Sequence, residues 1–259
     1  MSRDAATAFA RAMVDEWARA GVTQACLSPG SRSTPLALAL ARDQRIRLHV
    51  HLDERSGAYF ALGAANASRR PAIVLGTSGT ATANFHPAVL EAYHARVPLV
   101  VCTADRPPEL RDTGAGQTVD QVGLYGGAVA WSCDVGVPED RPGAGNAWRS
   151  VAARAVAEAT GPPAGPVHLN LAFREPLVPT GAALVEAPGR TDGRPWTTVA
   201  TAAAAPAPAV VEALTEAVRS TPRGMLVAGW GAGVRPRVAG RFAAATGWPV
   251  LAEPTSGVR

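Results

Sequence analysis

Six short apolar runs, each leading into a polar turn or a helical pattern, constrain this chain more than any other feature. They are Val22–Ser28 (VTQACLS), Arg47–Leu52 (RLHVHL), Ala72–Gly76 (AIVLG), Leu99–Thr103 (LVVCT), a run within Gly127–Val135 (AVAWSCDV) and Val167–Leu171 (VHLNL). Each is strand length, and the segments between them carry helical spacing, as in LALALA after Pro35 and WRSVAARAVAEAT from Trp148. A first helix precedes them, with Phe9, Met13, Val14 and Trp17 on one face and Gly21 as its stop. Strands alternating with helices predict an α/β fold, a doubly wound, mostly parallel six-stranded sheet.

Ligands in such sheets gather beyond the carboxyl ends of the strands. The polar motifs stand at those ends: Pro29–Thr34, Asp53–Glu54, Thr77–Thr80 and Asp105–Arg106. Pro29-Gly30-Ser31-Arg32-Ser33-Thr34-Pro35 is a glycine turn into a helix. Ser33 or Thr34 is suited to cap that helix, and Pro35 suits its first turn. Such a helix start offers free backbone N–H groups to an anion, although a plain strand-to-helix turn reads the same way. The acidic pair Asp53 and Glu54 opens a second helix whose Ser56, Gly57, Ala58, Ala61, Gly63, Ala64 and Ala65 keep one side thin. Either acid could be a helix-start residue or a working one, and the thin side admits a ligand or another helix. Arg106 could equally be spent on a salt bridge with Asp105 or Glu109.

The pattern stops near Pro176, and residues 186–209 are rich in Pro, Gly, Thr and Ala. It resumes with a helix from Val210, a strand over Gly224–Trp230, a helix over Arg235–Thr246 and a strand from Trp248. The expected organisation is a first domain over 1–182, a linker over 183–208 and the start of a second α/β domain over 209–259. Two strands and two helices do not close a core of their own, so the expectation is a chain truncated inside its second domain.

Several function classes are excluded. All 25 basic residues are arginine, scattered among acids for a net charge of +4, with no basic run for nucleic acid. Cys26, Cys102 and Cys133 lie far apart in apolar contexts and read as buried reduced thiols, with no metal spacing. No apolar run approaches the roughly 20 residues of a membrane span, and no signal core begins the chain, so a cytoplasmic protein is expected. There is no phosphate-binding P-loop, no dinucleotide fingerprint, no nucleophile elbow and no metal-ligand cluster. His49, His51, His86, His94 and His168 read as strand or helix filler.

Four stretches in order, SPGSRSTPLALAL, HLDERSGAYFALGAA, GTSGTATANFHPAVLEA and VPLVVCTADRPPELRDTGAGQTVDQ, carry a specific resemblance. Over about residues 20–130, and more weakly through PVHLNLAFREPL, the chain resembles the first domain of the MenD family of thiamine-diphosphate enzymes, the 2-succinyl-5-enolpyruvyl-6-hydroxy-3-cyclohexene-1-carboxylate synthases of menaquinone biosynthesis. The resemblance implies a pyrimidine-binding domain followed by a central and a diphosphate-binding domain. Two subunits of a homodimer, or dimer of dimers, would share each active site. The diphosphate and its magnesium or manganese ion would be held by the last domain, so this chain supplies no metal ligand and is expected to be inactive alone.

Glu54 matches the family's cofactor-activating glutamate, a carboxylic acid hydrogen-bonded to the pyrimidine N1′. Pro29, Gly30, Thr77, Ser78 and Gly79 would line the pyrimidine pocket with it. Ser31, Arg32, Arg106 and Gln117 match the positions facing the substrates, 2-oxoglutarate and the dicarboxylate isochorismate. Gly116 stands where the family usually has Asn, before Gln117. Other 2-oxoacid decarboxylases and synthases of the thiamine-diphosphate class share the glutamate and the fold but lack the TADRPPEL and SPGSRS arginines. A non-catalytic module derived from the first domain is the remaining alternative.

Overall fold

The computed structural model describes residues 4–200, 205–231 and 233–258. The described residues up to 200 form one compact unit and those from 205 onward a second.

In the first unit the strands are β1 (Gln24–Leu27), β2 (Arg47–Val50), β3 (Ala72–Gly76), β4 (Leu99–Asp105), β5 (Trp131–Asp134) and β6 (Pro166–Ala172). They form one sheet of order β2-β1-β3-β4-β6-β5, and every neighbouring pair is parallel. The helices are α1 (Ala5–Arg19), α2 (Thr34–Arg42), α3 (Glu54–Ser68), the short α4 (Thr80–Ala83), α5 (His86–Ala95) and α6 (Ala144–Thr160). The expected doubly wound α/β sheet is therefore present, and it is wholly parallel. The fifth strand starts later than the sequence pattern suggested, because Gly126–Ala128 forms a 3-10 turn first.

Strand alternation sorts the core into two layers. Ile73 and Leu75 pack with α1, α2 and α6, whereas Ala72 and Val74 pack with α3 and α5. Phe9, Met13 and Trp17 recur every fourth residue of α1 and are wholly buried. Asp4 caps that helix by accepting from the Thr7 N–H at 2.9 Å. Central β3 and β4 are buried along their full length, as a two-sided parallel sheet requires. Cys26 and Cys102 share this burial, which pushes the Cys26 thiol up to about 12. Cys133 departs from the expected burial: β5 is an edge strand with alternating exposure, and the thiol is half-buried.

The sheet interior also holds a polar cluster. His168 on β6 faces Thr103 on β4, with 2.8 Å between Nε2 and Oγ1, and meets the Tyr125 ring edge-on at 4.8 Å. Burial lowers its pKa to about 4 from an ordinary 6.5. The unfolded chain then binds a proton that the folded chain refuses, so stability falls as pH drops from 6.5 towards 4. Between pH 7 and 5 this residue is expected to remove about 2 kcal/mol. Urea unfolding at the two pH values should show that extra loss in the parent protein and its absence in His168→Gln.

Residues 184–196 run along α1 and α6. Leu184 bridges to Asp4, the Arg149 guanidinium donates to the Ala187 carbonyl at 2.8 and 3.0 Å, and the Trp196 N–H donates to Glu16. Arg149 also pairs with the fully buried Glu16 at 2.8 Å and with Asp15 at 2.7 Å.

The second unit contains α7 (Pro208–Arg219), β7 (Leu226–Ala228), α8 (Pro236–Thr246) and β8 (Val250–Ala252), with the two strands parallel. Among its described residues only Ala228, Ala239 and Ser256 are buried, while Leu214, Val227 and Leu251 are exposed. A two-stranded sheet with two helices buries little, as its size dictates.

Candidate active site

The chain leaves β1 towards β2 on one side, whereas β3 leads to β4 on the other. The switch point therefore lies between β1 and β3, and the crevice beyond their carboxyl ends is the expected ligand position. Both loops there are polar. Ser28 extends β1 by donating its N–H to the Leu75 carbonyl at 2.9 Å. Pro29 is exposed and Gly30 is extended, and a 3-10 turn over Ser31–Ser33 leads into α2. Gly30 lies so close to the next loop that a Cβ there would sit 2.4 Å from Thr77 Cβ. Only glycine allows the two loops to meet.

The helix entry differs from the sequence expectation. Neither Ser33 nor Thr34 caps α2 through its side chain. The 3-10 turn already places Ser33 in helical geometry, and its hydroxyl donates back to the Gly30 carbonyl at 2.9 Å. Pro35 does stand in the first helical turn.

Two hydroxyls at the switch point, Ser28 Oγ and Thr77 Oγ1, are buried without a hydrogen-bond partner in the chain. Leaving a polar group in that condition costs about 1–3 kcal/mol. Buried polar groups are otherwise nearly always bonded, so two at the ends of the neighbouring strands β1 and β3 are candidates for contact with another molecule. Ser28 was not among the residues expected from the sequence. Its position at the end of β1 was visible there, but not its lack of a partner.

The acidic pair divides its work. Asp53 is the N-cap of α3, accepting from the Ser56 N–H at 2.7 Å, and the hydrogen bonds from Ser56 hold its carboxyl below the usual range. Glu54 begins the helix, is half-buried, and makes no hydrogen bond or ion pair among the described residues. It shares a helix face with Gly57, Ala58 and Ala61, three, four and seven positions on, all three of them buried. A Cβ on Gly57 would lie 3.2 Å from His51 Cβ and 3.4 Å from Ser28 Oγ. The thin face of α3 thus rests on the end of β1 at Gly57, with Glu54 one turn earlier on the same face.

Arg32 and Arg106 form the cationic side of the crevice. Arg32 donates to the Phe173 carbonyl at 2.8 Å, approaches Glu175 at 3.4 Å and keeps a buried Nε without a partner. Arg106 donates to the Ser78 hydroxyl and, at 2.8 Å, to the Gln117 carbonyl. Neither salt bridge open to Arg106 from the sequence forms. Asp105 is bonded to Arg111 and Asn170, and Glu109 pairs with Arg174. Partial burial, and next the nearby charge of Arg32, hold Arg106 below the usual arginine range. Two neighbouring guanidiniums, compensated by Glu175 and Asp105, remain suited to an incoming anion.

The remaining candidates separate. Ser78 and Gly79 are buried in the turn after β3, and Ser31 is exposed at the crevice rim. Gln117 adopts a left-handed φ of 59°, and its side-chain amide donates to the Ser78 carbonyl at 3.0 Å. It therefore braces the turn. Ser28, Thr77 and the turn backbone, with Glu54 at the start of α3, give this end of the sheet both hydrogen-bond donors and acceptors. Among the described residues no group of three or more His, Cys, Asp or Glu could hold a metal ion, and no helix is long and apolar enough to cross a membrane.

The fold agrees with comparison to known proteins. Residues 7–124 match the family model of the thiamine pyrophosphate enzyme N-terminal TPP binding domain, and the first unit is a domain of that class. More particularly, the chain corresponds to the N-terminal part of the 2-succinyl-5-enolpyruvyl-6-hydroxy-3-cyclohexene-1-carboxylate synthases. It is 54% identical to that of Thermobifida fusca over 98% of this chain and 45% of the relative. Against that of Halobacterium salinarum it is 47% identical over 98% of this chain and 46% of the relative. The Geobacillus kaustophilus protein is 47% identical over 99% of this chain and 44% of its own length. The chain thus spans somewhat under half the length of these curated relatives.

Proposed function

We propose that this chain is the pyrimidine-binding half of a thiamine-diphosphate-dependent transferase that decarboxylates 2-oxoglutarate and joins the resulting succinyl-semialdehyde unit to isochorismate. Bound thiamine diphosphate would supply the carbanion chemistry, and the protein would set its protonation and surroundings. The observation that carries the reading is Glu54 at the start of α3, without a partner among the described residues, on a helix whose Gly57 packs against the unbonded Ser28 at the switch point.

On this reading Glu54 holds a proton against N1′ of the pyrimidine. Ser28, Pro29, Gly30, Thr77, Ser78 and Gly79 form the walls that keep the ring in place and water out. Arg32 and Arg106, with Ser31 at the rim, take the substrate carboxylates, for which the planar guanidinium fork is suited. Gln117 shapes the same wall.

Residues 1–182 are then the pyrimidine-binding domain, 183–208 a linker and 209–259 the beginning of a central domain. Diphosphate and a magnesium or manganese ion would be held elsewhere in a cytoplasmic homodimer. The exposed apolar side chains around Glu54 fit such sharing. Leu52 is 93% exposed, and Tyr59 and Phe60 stand out from α3, a surface suited to a covering chain.

The test is an assay of the full-length protein with thiamine diphosphate and magnesium. Turnover of 2-oxoglutarate together with isochorismate, and none of pyruvate, is expected. Turnover of pyruvate alone would assign the protein to a different reaction of the class.

A further inference from the structure

The turn that follows β3 hangs on a buried glutamine that carries no role in the site described so far. Gln121 is 1% exposed and lies 42 residues from its first partner in sequence. Its Oε1 accepts from the Gly79 N–H at 2.8 Å, and its Nε2 donates to the Ala104 carbonyl at 3.2 Å and to Asn170 Oδ1 at 3.1 Å. Asn170 in turn donates to Asp105 at 2.9 Å and to Asp134 at 3.0 Å, and accepts from Thr103 Oγ1 at 2.9 Å. Arg111 closes the far end on Asp105 and Asp134. Each amide has one orientation that serves all these partners, so the network fixes both.

The near end is the informative one. Gln117 donates to the Ser78 carbonyl at 3.0 Å, and Gln121 accepts from the Gly79 N–H at 2.8 Å. These are the two polar groups of a single peptide, held from different directions. Gly79 has a φ of 84°, where L side chains rarely go, and a Cβ there would sit 2.8 Å from Gln117 Cγ. The plane of that peptide sets the course of the backbone from Thr77, whose hydroxyl is left without a partner.

We propose that Gln121 is a positioning residue for cofactor binding. It locks the Ser78–Gly79 peptide so that Thr77 presents its unbonded hydroxyl to the ligand, and Asn170 anchors it to the sheet. This rests on the reading that the turn meets the aminopyrimidine of thiamine diphosphate.

The experiment compares the full-length parent protein, Gln121→Met and Thr103→Val. Thr103→Val removes a bond at the sheet end of the same network without touching the turn. Thiamine diphosphate affinity is measured by calorimetry at saturating magnesium, beside the melting temperature, cofactor KM and kcat. Gln121→Met is expected to weaken cofactor affinity about 10- to 100-fold, the scale of one or two lost buried hydrogen bonds, with kcat at saturating cofactor within about threefold. Thr103→Val should lower the melting temperature and leave cofactor affinity unchanged. Unchanged affinity in Gln121→Met, or an equal loss in Thr103→Val, would reduce Gln121 to a structural residue and overturn the proposal. Should Gln121→Met not fold, Gln121→Ala, whose vacated space admits water at the Gly79 N–H, carries the same expectation. A parent protein that does not bind thiamine diphosphate would instead overturn the underlying functional reading.

Discussion

Glu54→Gln in the full-length protein is expected to lower turnover about 100-fold or more, the range of lost general acid–base catalysis. The change keeps size and hydrogen-bonding capacity and removes only the proton that the carboxyl can share. Helix α3 should be little disturbed, because its cap is Asp53, bonded to the Ser56 N–H at 2.7 Å. The neighbouring change Asp53→Asn therefore provides contrast. Asparagine is nearly as good a cap as aspartate, so stability and turnover should stay close to those of the parent. Steady-state rates at saturating cofactor separate the two acids. A large loss in Asp53→Asn with near-normal turnover in Glu54→Gln would reverse the assignment.

The second large effect is expected at the arginine pair. Arg32→Ala should raise the KM of the dicarboxylate acceptor about 10- to 100-fold, since charge-assisted hydrogen bonds contribute about 1.5–3 kcal/mol. Cofactor KM should move little, because Arg32 bonds to Phe173 and Glu175 and not to the turn after β3. Arg106→Ala should raise both constants. Its guanidinium also holds the Ser78 hydroxyl and the Gln117 carbonyl, so its loss frees the wall that faces the cofactor. Lysine should restore only part of the affinity at either position, having a point charge in place of a fork. Equal effects of Arg32→Ala and Arg106→Ala on both constants would contradict this division.

The sheet was legible because its central strands are buried on both faces and therefore read as continuous apolar runs, such as AIVLG in β3 and LVVCT in β4. The edge was less legible. Trp131–Asp134 alternates in exposure, and the preceding Gly126–Ala128 bends into a 3-10 turn, so the strand begins later than its apolar composition implies. At the site, the strand-end positions of Glu54, Arg32 and Arg106 followed from local pattern and from the family resemblance.

Partnerships did not follow. Ser33 bonds to Gly30 and not to the helix it precedes, because a 3-10 turn intervenes. Arg106 turns from the adjacent Asp105 and nearby Glu109 to Ser78 and Gln117, since Asp105 is claimed by Asn170 on β6, 65 residues away. Gln121 lies in a loop of unremarkable composition and takes its importance from Gly79 and Asn170, 42 and 49 residues distant. Local spacing identifies which residues reach the carboxyl edge of a parallel sheet. The bonds between strand ends depend on register, which only the folded sheet supplies.

On the proposed function Glu54 controls the protonation of a bound pyrimidine. The most direct measurement of that control is the rate at which the C2 proton of enzyme-bound thiamine diphosphate exchanges with deuterium, compared between the full-length parent and Glu54→Gln at saturating cofactor and magnesium. Exchange at least about 100-fold slower is expected in the variant, with the cofactor still bound. Equal exchange rates in the two proteins would contradict that role.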